Sequence, residues 1–379
     1  MRYLTSIAML ACLLVARPGL AAGTADPEAT RIIAELGLAE SDAPIADHPG
    51  WRPRRVVVSL PASWSRRMPQ FEQQLKDTAT GVELVIDRSE DFTLSAEVLA
   101  GADAIIGQCT PTTMDQASAD LLWLQNYSVG MDRCANLPPA QIEGRVFTNT
   151  KRLSGPTIAE HSIAMILSLA RGLPAYQHAQ AAQSWDRSPA AGLTFGELHG
   201  KTLLVVGLGG IGTEIAWRAA GLGMRVTAIR NSSRQGPEFV DYVGLSDELD
   251  TLAGEADVVV NALPLTASTT GLFDRAFFDQ IKPGAIFISV GRGKSTVTAD
   301  LVAALRSGQL YGAGLDVTDP EPLPAASPLW QMNNVIITPH VSAAGPDSLR
   351  RTALITLENL RRYLAGERLL NIVDMRAGY

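Results

Sequence analysis

Positive charge is in deficit in this sequence, where 32 Lys and Arg residues stand against 39 Asp and Glu residues and the formal net charge is −7. That balance argues against a nucleic-acid-binding surface, and no basic run with interleaved aromatic residues offsets it. Aromatic residues make up only 6% of the 379 residues, whereas apolar residues as a whole make up 46%. A chain of this length and apolar content buries a sizeable core, so we predict two globular domains and no nucleic-acid partner.

An apolar run long enough to span a membrane is lacking near the N-terminus, because the run at residues 4–16 is too short to cross a bilayer comfortably. This run follows Arg2 and precedes small residues at 19–23, which is the order of a secretory signal. We therefore predict a signal peptide over residues 1–22, a periplasmic or secreted protein and no stable membrane anchor. The alternative is a start codon assigned too far upstream, or an unstructured tail, on a cytoplasmic protein.

Cysteine is scarce, and only Cys109 and Cys134 remain once the predicted signal peptide is removed. Two cysteines do not make the disulfide framework of a small secreted domain. Their positions leave open whether they pair with each other. We also predict no bound metal.

An apolar run that breaks into glycines is the clearest positive signal. Residues 202–206 are apolar and partly β-branched, as in a buried strand, and residues 207–212 are GLGGIG, after which a helical pattern follows. Such a turn lets backbone N–H groups and the positive end of a helix approach a pyrophosphate. A bare GxGxxG is weak evidence, but this one has the strand–turn–helix context that a dinucleotide site needs. We predict cofactor contacts from Gly207, Gly209, Gly210, Ile211 and Gly212.

Apolar runs and helical segments alternate on both sides of this turn, which is typical of parallel sheets covered on both faces. Strands are predicted at residues 56–60, 82–86, 104–106, 121–124, 146–148, 202–206, 225–229, 258–262, 285–290, 312–317 and 335–339. An amphipathic helix at 157–171 separates the two sets of strands, and a last helix at 347–365 leads back to the first set. The predicted domains are an extension at 23–53, a first domain at 54–155, a nucleotide-binding domain at 156–340 and a C-terminal return at 341–379.

Three of the later strands end in residues that can bind and protonate a substrate. Since the carboxyl ends of parallel strands meet at one edge, Arg292, Glu321 and His340 are predicted to lie together beside the glycine turn. The chain has only five histidines. His48 lies in the extension and His199 precedes its strand, at the opposite edge. His161 and His178 lie within helical segments, so we expect only His340 to reach the cofactor.

These three side chains match the needs of 2-oxo acid reduction by hydride. The reaction requires a cation for the substrate carboxylate and the developing oxyanion, and a proton donor for the new alkoxide. Arg292 can bind the carboxylate bidentately, and His340 can donate the proton with Glu321 as its acidic neighbour. Taken singly, Arg292 and Glu321 would more often form surface ion pairs, but together they indicate a catalytic set.

The end of the second strand of the nucleotide-binding domain predicts the choice of cofactor. A ribose-binding Asp or Glu is expected about 20 residues after the glycines. This chain has Arg230 there, followed by Ser232 and Arg234. An acid would repel a 2′-phosphate, whereas these three residues can bind one. We therefore predict NADP, with NAD as the alternative and a solvated strand-end Arg as the simpler explanation.

With these features the sequence resembles the D-isomer-specific 2-hydroxyacid dehydrogenases over nearly all of residues 54–371. The matching stretches are ELHGKT at 197–202, LPLT at 263–266, KPGA at 282–285, VGRG at 290–293, GAGLDV at 312–317, EPLP at 321–324 and NVIITPH at 334–340. The resemblance implies two doubly wound parallel-sheet α/β domains, with a Rossmann dinucleotide-binding domain inserted into a flavodoxin-like substrate domain.

The resemblance also implies roles for individual residues. Arg292 is expected to bind the substrate, Glu321 to support the acid and His340 to act as the acid/base. The backbone amides of Ser128, Val129 and Gly130 are expected to bind the substrate carboxylate. Asp316 is expected to contact the nicotinamide amide. Other cofactor contacts are expected from Leu263, Pro264 and Val290.

The function implied is the interconversion of small 2-oxo acids and D-2-hydroxy acids by a homodimer. The Arg–Ser cluster is similar to that of the NADPH-preferring glyoxylate and hydroxypyruvate reductases. One departure is Asn149-Thr150-Lys151, where the family usually has Asn-Thr-Pro. The alternative function is an NAD(P)-sensing binding or scaffold protein with little turnover, and the intact Arg, Glu and His weigh against it.

Overall fold

A computed structural model describes residues 24–134, 137–188 and 195–376. The predicted signal peptide, residues 1–22, lies outside the described residues. Two parallel sheets organise the described chain, one of five strands and one of seven. The fold is α/β with two doubly wound sheets, which confirms the fold class that the sequence predicts.

The first sheet forms the substrate side of the molecule. Its strands are β1 (Arg55–Ser59), β2 (Glu83–Asp87), β3 (Ala104–Gly107), β4 (Trp123–Asn126) and β5 (Val146–Thr148). They lie in the order β2-β1-β3-β4-β5 and every neighbouring pair is parallel. This order is the flavodoxin-like one.

The second sheet contains the glycine turn. Its strands are β6 (Thr202–Val206), β7 (Arg225–Ile229), β8 (Tyr242–Gly244), β9 (Val258–Asn261), β10 (Ala285–Ser289), β11 (Leu310–Leu315) and β12 (Val335–Ile337). Their order is β12-β11-β10-β9-β6-β7-β8, so the chain changes its direction of travel across the sheet between β6 and β9. Ligands of open parallel sheets bind at such a switch point, outside the carboxyl ends of the strands. The sequence did not predict β8, a three-residue edge strand that pairs only with β7.

Helices cover the faces of both sheets. They are α1 (Pro27–Leu36), α2 (Ala62–Arg67), α3 (Phe71–Thr78), α4 (Ala96–Leu99), α5 (Pro111–Gln116), α6 (Gly155–Ala170), α7 (Leu173–Ala181), α8 (Gly210–Gly221), α9 (Leu249–Glu255), α10 (Arg275–Gln280), α11 (Thr298–Ser307) and α12 (Pro346–Ala365). Helix α6 leaves the first sheet and packs on α8 of the second, so it is the crossing helix that the sequence predicts. In the described ranges, no helix combines the length and apolarity that a membrane span requires.

Helix α12 returns to the first sheet, where a buried polar contact holds it. The Tyr363 ring stacks on Trp123 with 4.9 Å between centroids, and its hydroxyl donates to Asp103 Oδ1 at 2.8 Å. The other Asp103 oxygen accepts the N–H groups of Arg54 and Arg55, each at 2.7 Å. Burial raises the pKa of Asp103 and of Tyr363. Because these hydrogen bonds replace the water that the carboxylate loses, they fix α12 against the strand starts.

The described part of the N-terminal extension wraps around α12. Apolar side chains of α1, among them Ala29 and Ile32, pack on Ile355. Glu40 forms an ion pair with Arg362 at 2.7 Å and a backbone bridge with Leu370. The extension is therefore part of the packed fold on the side of the first sheet.

Cys109 and Cys134 form a disulfide, with 5.9 Å between their Cα atoms. This answers the question that their positions in the sequence left open. Cys109 follows β3, Cys134 lies shortly after β4, and both are buried. The bond therefore joins the carboxyl ends of two neighbouring strands.

Candidate active site

The glycine turn lies between β6 and α8, as the sequence predicts. A Cβ atom at Gly212 would collide with the carbonyl oxygen of Gly207, whereas a Cβ at the exposed Gly209 would meet no atom within 4 Å. The turn is thus tight on its protein side and open on its outer side. Gly210 and Ile211 begin the first turn of α8, whose unpaired N–H groups carry the positive end of the helix. This open, positive cradle fits a pyrophosphate.

Leu263, Pro264 and Val290, which are expected to contact the cofactor, lie at the same edge of the sheet as the glycine turn. Asn261, at the end of β9, accepts the Leu263 N–H at 3.1 Å and donates to Ser289 at the end of β10, also at 3.1 Å. The Pro264 carbonyl is occupied by the Thr269 hydroxyl at 2.7 Å. Val290 is 5% exposed, so little of its surface is open to a ligand.

The three residues that are predicted to bind a 2′-phosphate have different partners in the structure. Arg230 leaves the end of β7 with one guanidinium nitrogen on the Gln235 carbonyl at 2.9 Å, and Ser232 is exposed beside it. Arg234 instead forms an ion pair with Glu248 at 2.7 Å and a hydrogen bond with the Tyr242 hydroxyl. Hydrogen bonds from Tyr242, from the backbone and from Arg234 lower the pKa of Glu248 to about 2. Arg230 is therefore the cation that is better placed for a cofactor phosphate.

His340, the predicted acid/base, has Glu321 as its acidic neighbour. His340 Nδ1 lies 3.0 Å from Glu321 Oε2, and Glu321 Oε1 accepts the Thr318 N–H at 3.0 Å. Both side chains are exposed, at 50% and 39%. An exposed pair of this kind contributes only about 0–1 kcal/mol to stability, so its effect is to orient the ring.

A buried carboxylate shapes the backbone that carries His340. Asp316 Oδ1 accepts the Thr338 hydroxyl at 2.7 Å and the N–H groups of Val341 and Ser342 at 2.9 and 3.1 Å. The Asp316 carbonyl accepts the His340 N–H at 2.8 Å. These bonds hold His340 at φ 53°, a left-handed conformation that costs a non-glycine residue about 1–2 kcal/mol. Whether Asp316 also contacts a nicotinamide amide remains a prediction.

His161 lies closer to this network than the sequence suggested. Its Nε2 is 2.9 Å from Thr338 Oγ1 and 4.0 Å from Asp316 Oδ1. Since the single hydroxyl proton of Thr338 goes to the Asp316 carboxylate, His161 Nε2 must be the donor to Thr338. His161 is thus a second histidine beside this network. That only His340 reaches the cofactor stays a prediction. The missed signal is that α6, as a crossing helix, passes over the ends of β11 and β12.

Arg292 follows β10 and reaches across to the first sheet. Its Nε donates to Asp132 Oδ2 at 2.8 Å, and its Nη1 donates to the Gly291 carbonyl at 2.8 Å. The loop of Arg292 touches the loop of Glu321, because the Gly293 Cα lies directly against the Thr318 carbonyl. Arg292, Glu321 and His340 therefore follow three neighbouring strands at one edge of the sheet. Their role as one site remains a prediction.

The predicted carboxylate-binding loop, residues 128–130, has its carbonyl oxygens turned toward the protein. Asn126 Nδ2 donates to the carbonyls of Ser128 and Gly130 at 3.0 and 3.2 Å, and Asn149 Nδ2 donates to that of Val129 at 2.7 Å. Within the part of the chain that the structure describes, the N–H groups of Val129 and Gly130 have no hydrogen-bond partner. They are thus available to an anionic ligand.

Lys151, which stands where the family usually has proline, supports this loop. The Lys151 N–H donates to Asn149 Oδ1 at 3.0 Å, which orients the amide that holds Val129. Proline has no N–H and could not make this bond. Among the described residues, no group of three or more His, Cys, Asp or Glu side chains could hold a metal ion.

Comparisons with known proteins agree with this geometry. The family model "D-isomer specific 2-hydroxyacid dehydrogenase, NAD binding domain" matches residues 163–342. Glyoxylate/hydroxypyruvate reductase B of Citrobacter koseri is 32% identical over 292 residues, which are 76% of this chain and 89% of that protein.

Two solved structures extend the likeness to the whole fold. A D-isomer specific 2-hydroxyacid dehydrogenase from Xanthobacter autotrophicus, in complex with NADPH and MES, has a TM-score of 0.72 and 27% identity, and covers 86% of this chain and 100% of its own. An NADPH-dependent glyoxylate/hydroxypyruvate reductase from Sinorhizobium meliloti, in complex with NADP and sulfate, has a TM-score of 0.71 with the same identity and coverage. The glycine turn, the Arg–Glu–His edge and these relatives together lead to one conclusion: this chain belongs to the D-isomer specific 2-hydroxyacid dehydrogenase family.

Proposed function

We propose that the protein uses NADPH to reduce small 2-oxo acids, such as glyoxylate and hydroxypyruvate, to D-2-hydroxy acids. The observation that carries this proposal is that Arg292 and the Glu321–His340 pair follow neighbouring strands of the sheet whose carboxyl-end edge also holds the glycine turn. The names of the Citrobacter and Sinorhizobium relatives support the substrate class, and the NADPH and NADP in the two solved structures support the cofactor.

Substrate binding uses the two sides of the cleft. The free N–H groups of Val129 and Gly130 and the guanidinium of Arg292 face the same space, and together they bind the carboxylate of the 2-oxo acid. The Arg292 charge also stabilises negative charge that develops on the 2-oxo oxygen. Substrates with a small side chain need no further charged contact.

Proton transfer is the task of His340. Because the Glu321 carboxylate can only accept, Nδ1 of His340 carries a proton toward it and Nε2 is the nitrogen left for the substrate. A nicotinamide cofactor, when bound at the glycine turn, would supply the hydride for the 2-oxo carbon. In the imidazolium form, His340 donates its Nε2 proton to the oxygen that becomes the hydroxyl, and Glu321 then holds the neutral ring as the Nδ1–H tautomer.

Replacement of the proton donor tests the assignment of His340. We expect His340→Ala to lower kcat for glyoxylate by about 100- to 10,000-fold, because general acid catalysis is lost. The Kd for NADPH, measured by fluorescence titration, is expected to stay within about threefold, since the ring does not touch the glycine turn. Full activity in His340→Ala would place the acid elsewhere. Tight NADPH binding by the unaltered protein, with no turnover on a panel of 2-oxo acids, would support the cofactor-sensing alternative.

Cofactor preference tests the assignment of Arg230. We expect Arg230→Asp to raise the KM for NADPH about tenfold or more relative to that for NADH, because a charge-assisted contact with the 2′-phosphate is replaced by repulsion. Arg234→Ala is the matched control, and its effect should be smaller because Arg234 is paired with Glu248. An equal rise of both KM values in Arg230→Asp, measured from initial rates, would contradict the NADP assignment.

We also propose that the protein is exported. The signal-like pattern of residues 1–22 supports this, and so does the Cys109–Cys134 bond, since disulfides persist in oxidising compartments. N-terminal sequencing of protein purified from its native host is expected to begin at or near Gly23. A chain that begins at Met1 would contradict export by this route.

A homodimer is the assembly that we propose. Apolar side chains are exposed near α6 and α7, with Trp185 at 91%, Trp330 at 50% and Leu173 at 46%, and such surfaces often mark interfaces. Light scattering coupled to size-exclusion chromatography is expected to give twice the subunit mass. The Trp330→Glu variant is expected to shift the population toward monomer. A monomeric unaltered protein at micromolar concentration would refute this assembly.

A further inference from the structure

A carboxylate from the first sheet holds the substrate-binding arginine of the second. Asp132 follows the carboxylate-binding loop, and its Oδ2 accepts the Arg292 Nε–H at 2.8 Å. The two side chains come from the carboxyl ends of β4 and β10, so their contact crosses the cleft between the sheets. Neither the sequence pattern nor the likeness to known proteins assigns a role to Asp132.

The contact fixes the plane of the guanidinium. Nε is held by Asp132 and Nη1 by the Gly291 carbonyl, while Nη2 lies against the Cα of Gly130. A side chain at Gly130 would collide with both Arg292 Nη2 and Asp132 Oδ2, so the three residues form one close-packed unit. Arg has five N–H donors, and the two held here leave three for a substrate. We propose that Asp132 is a positioning residue, which orients Arg292 toward the substrate carboxylate bound at the N–H groups of Val129 and Gly130.

The disulfide anchors the backbone that carries Asp132. Cys134 is two residues further along, buried, and bonded to Cys109 at the end of β3. The Cys109 N–H donates to Asn126 Oδ1 at 3.0 Å, and the same Asn126 amide holds the carbonyls of Ser128 and Gly130. One covalent bond and one buried amide thus set both ends of the loop. The carboxylate-binding N–H groups and Asp132 are positioned together.

The opposite role would be competition, in which Asp132 occupies Arg292 and must be displaced by the substrate. The geometry favours positioning, because Asp132 bonds only Nε and leaves N–H groups of both Nη atoms free of it. The two roles predict changes of opposite sign. Removal of a positioning carboxylate raises the KM for the 2-oxo acid, whereas removal of a competitor lowers it.

Steady-state kinetics of Asp132 variants decides between them. We expect Asp132→Ala to raise the KM for glyoxylate about tenfold or more, as small misplacements of a binding group do, with a smaller change in kcat and an unchanged KM for NADPH. Asp132→Asn keeps an oxygen that can accept the Nε–H and is expected to restore most of the affinity. Asp120→Ala removes an exposed Asp–Arg pair of the same domain and should leave every constant unaltered. An unchanged or lower KM in Asp132→Ala would overturn the proposal.

Cleavage of the disulfide tests the anchor separately. Dithiothreitol, which gives two electrons and two protons to the bond and is itself oxidised to a disulfide, should yield two thiols in a folded protein with a raised KM for glyoxylate. The double variant Cys109→Ser/Cys134→Ser should show the same raised KM for glyoxylate without reductant. In the Asp132→Ala protein, reduction of the disulfide should raise the KM for glyoxylate by a smaller factor than in the unaltered protein, because both changes act on Arg292 through one loop. If the effects of reduction and of Asp132→Ala on the KM are fully additive, or if the reduced protein has a normal KM, the disulfide does not anchor this loop.

This inference rests on the proposed function for its kinetic readout, and a binding measurement separates the two. Oxalate is an unreactive analogue of a 2-oxo acid, and its affinity for the protein–NADPH complex can be measured by calorimetry. Weaker oxalate binding in Asp132→Ala supports the positioning role even if the unaltered protein turns over no 2-oxo acid, in which case only the proposed function fails. Equal oxalate binding by both proteins overturns the positioning role.

Discussion

The active-site edge depends on the carboxylate of Asp316. This group is 2% exposed, and a buried charge is tolerated only when hydrogen bonds replace its water. It finds them in the hydroxyl of Thr338 and in the backbone of Val341 and Ser342, which wraps the chain after β12 into a turn. His340 lies inside that turn in a left-handed conformation, with its ring on Glu321. The hydrogen bonds that solvate the buried Asp316 carboxylate thus also set the position of His340, the proposed proton donor.

The topology brings the remaining groups to the same place. Arg292 and Glu321 follow neighbouring strands of the second sheet, while Asp132 and the N–H groups predicted to bind the carboxylate follow β4 of the first. Parallel strands present their carboxyl ends at one edge, so residues that are far apart along the chain need only follow the right strand to meet. The Asp132–Arg292 contact joins the strand-end loops of the two sheets. In the proposed mode of binding, the substrate therefore contacts both domains, whereas the glycine turn belongs to the second sheet alone.

The sequence predicted most of this because strand positions and strand-end residues are local features. Apolar runs located eleven of the strands, and the three candidate catalytic residues followed from the rule about carboxyl ends. What it could not supply are contacts between elements that are distant in the chain. His161 meets Thr338 only because α6 crosses the second sheet, Arg234 pairs with Glu248 through β8, which is too short to predict, and the Cys109–Cys134 bond depends on β3 and β4 being neighbours. Asp132 carries no motif that distinguishes it from a solvated surface acid until Arg292 is placed beside it.

A crystal structure of the protein with NADP and oxalate is the most direct test of this account. It predicts one oxalate carboxylate at hydrogen-bond distance, about 3 Å, from Arg292 and from the N–H groups of Val129 and Gly130. It predicts His340 Nε2 at a similar distance from the oxygen that mimics the 2-oxo group, with the nicotinamide ring on the opposite side of the ligand. Oxalate bound away from Arg292, or a His340 ring that points away from both oxalate and nicotinamide, would contradict it.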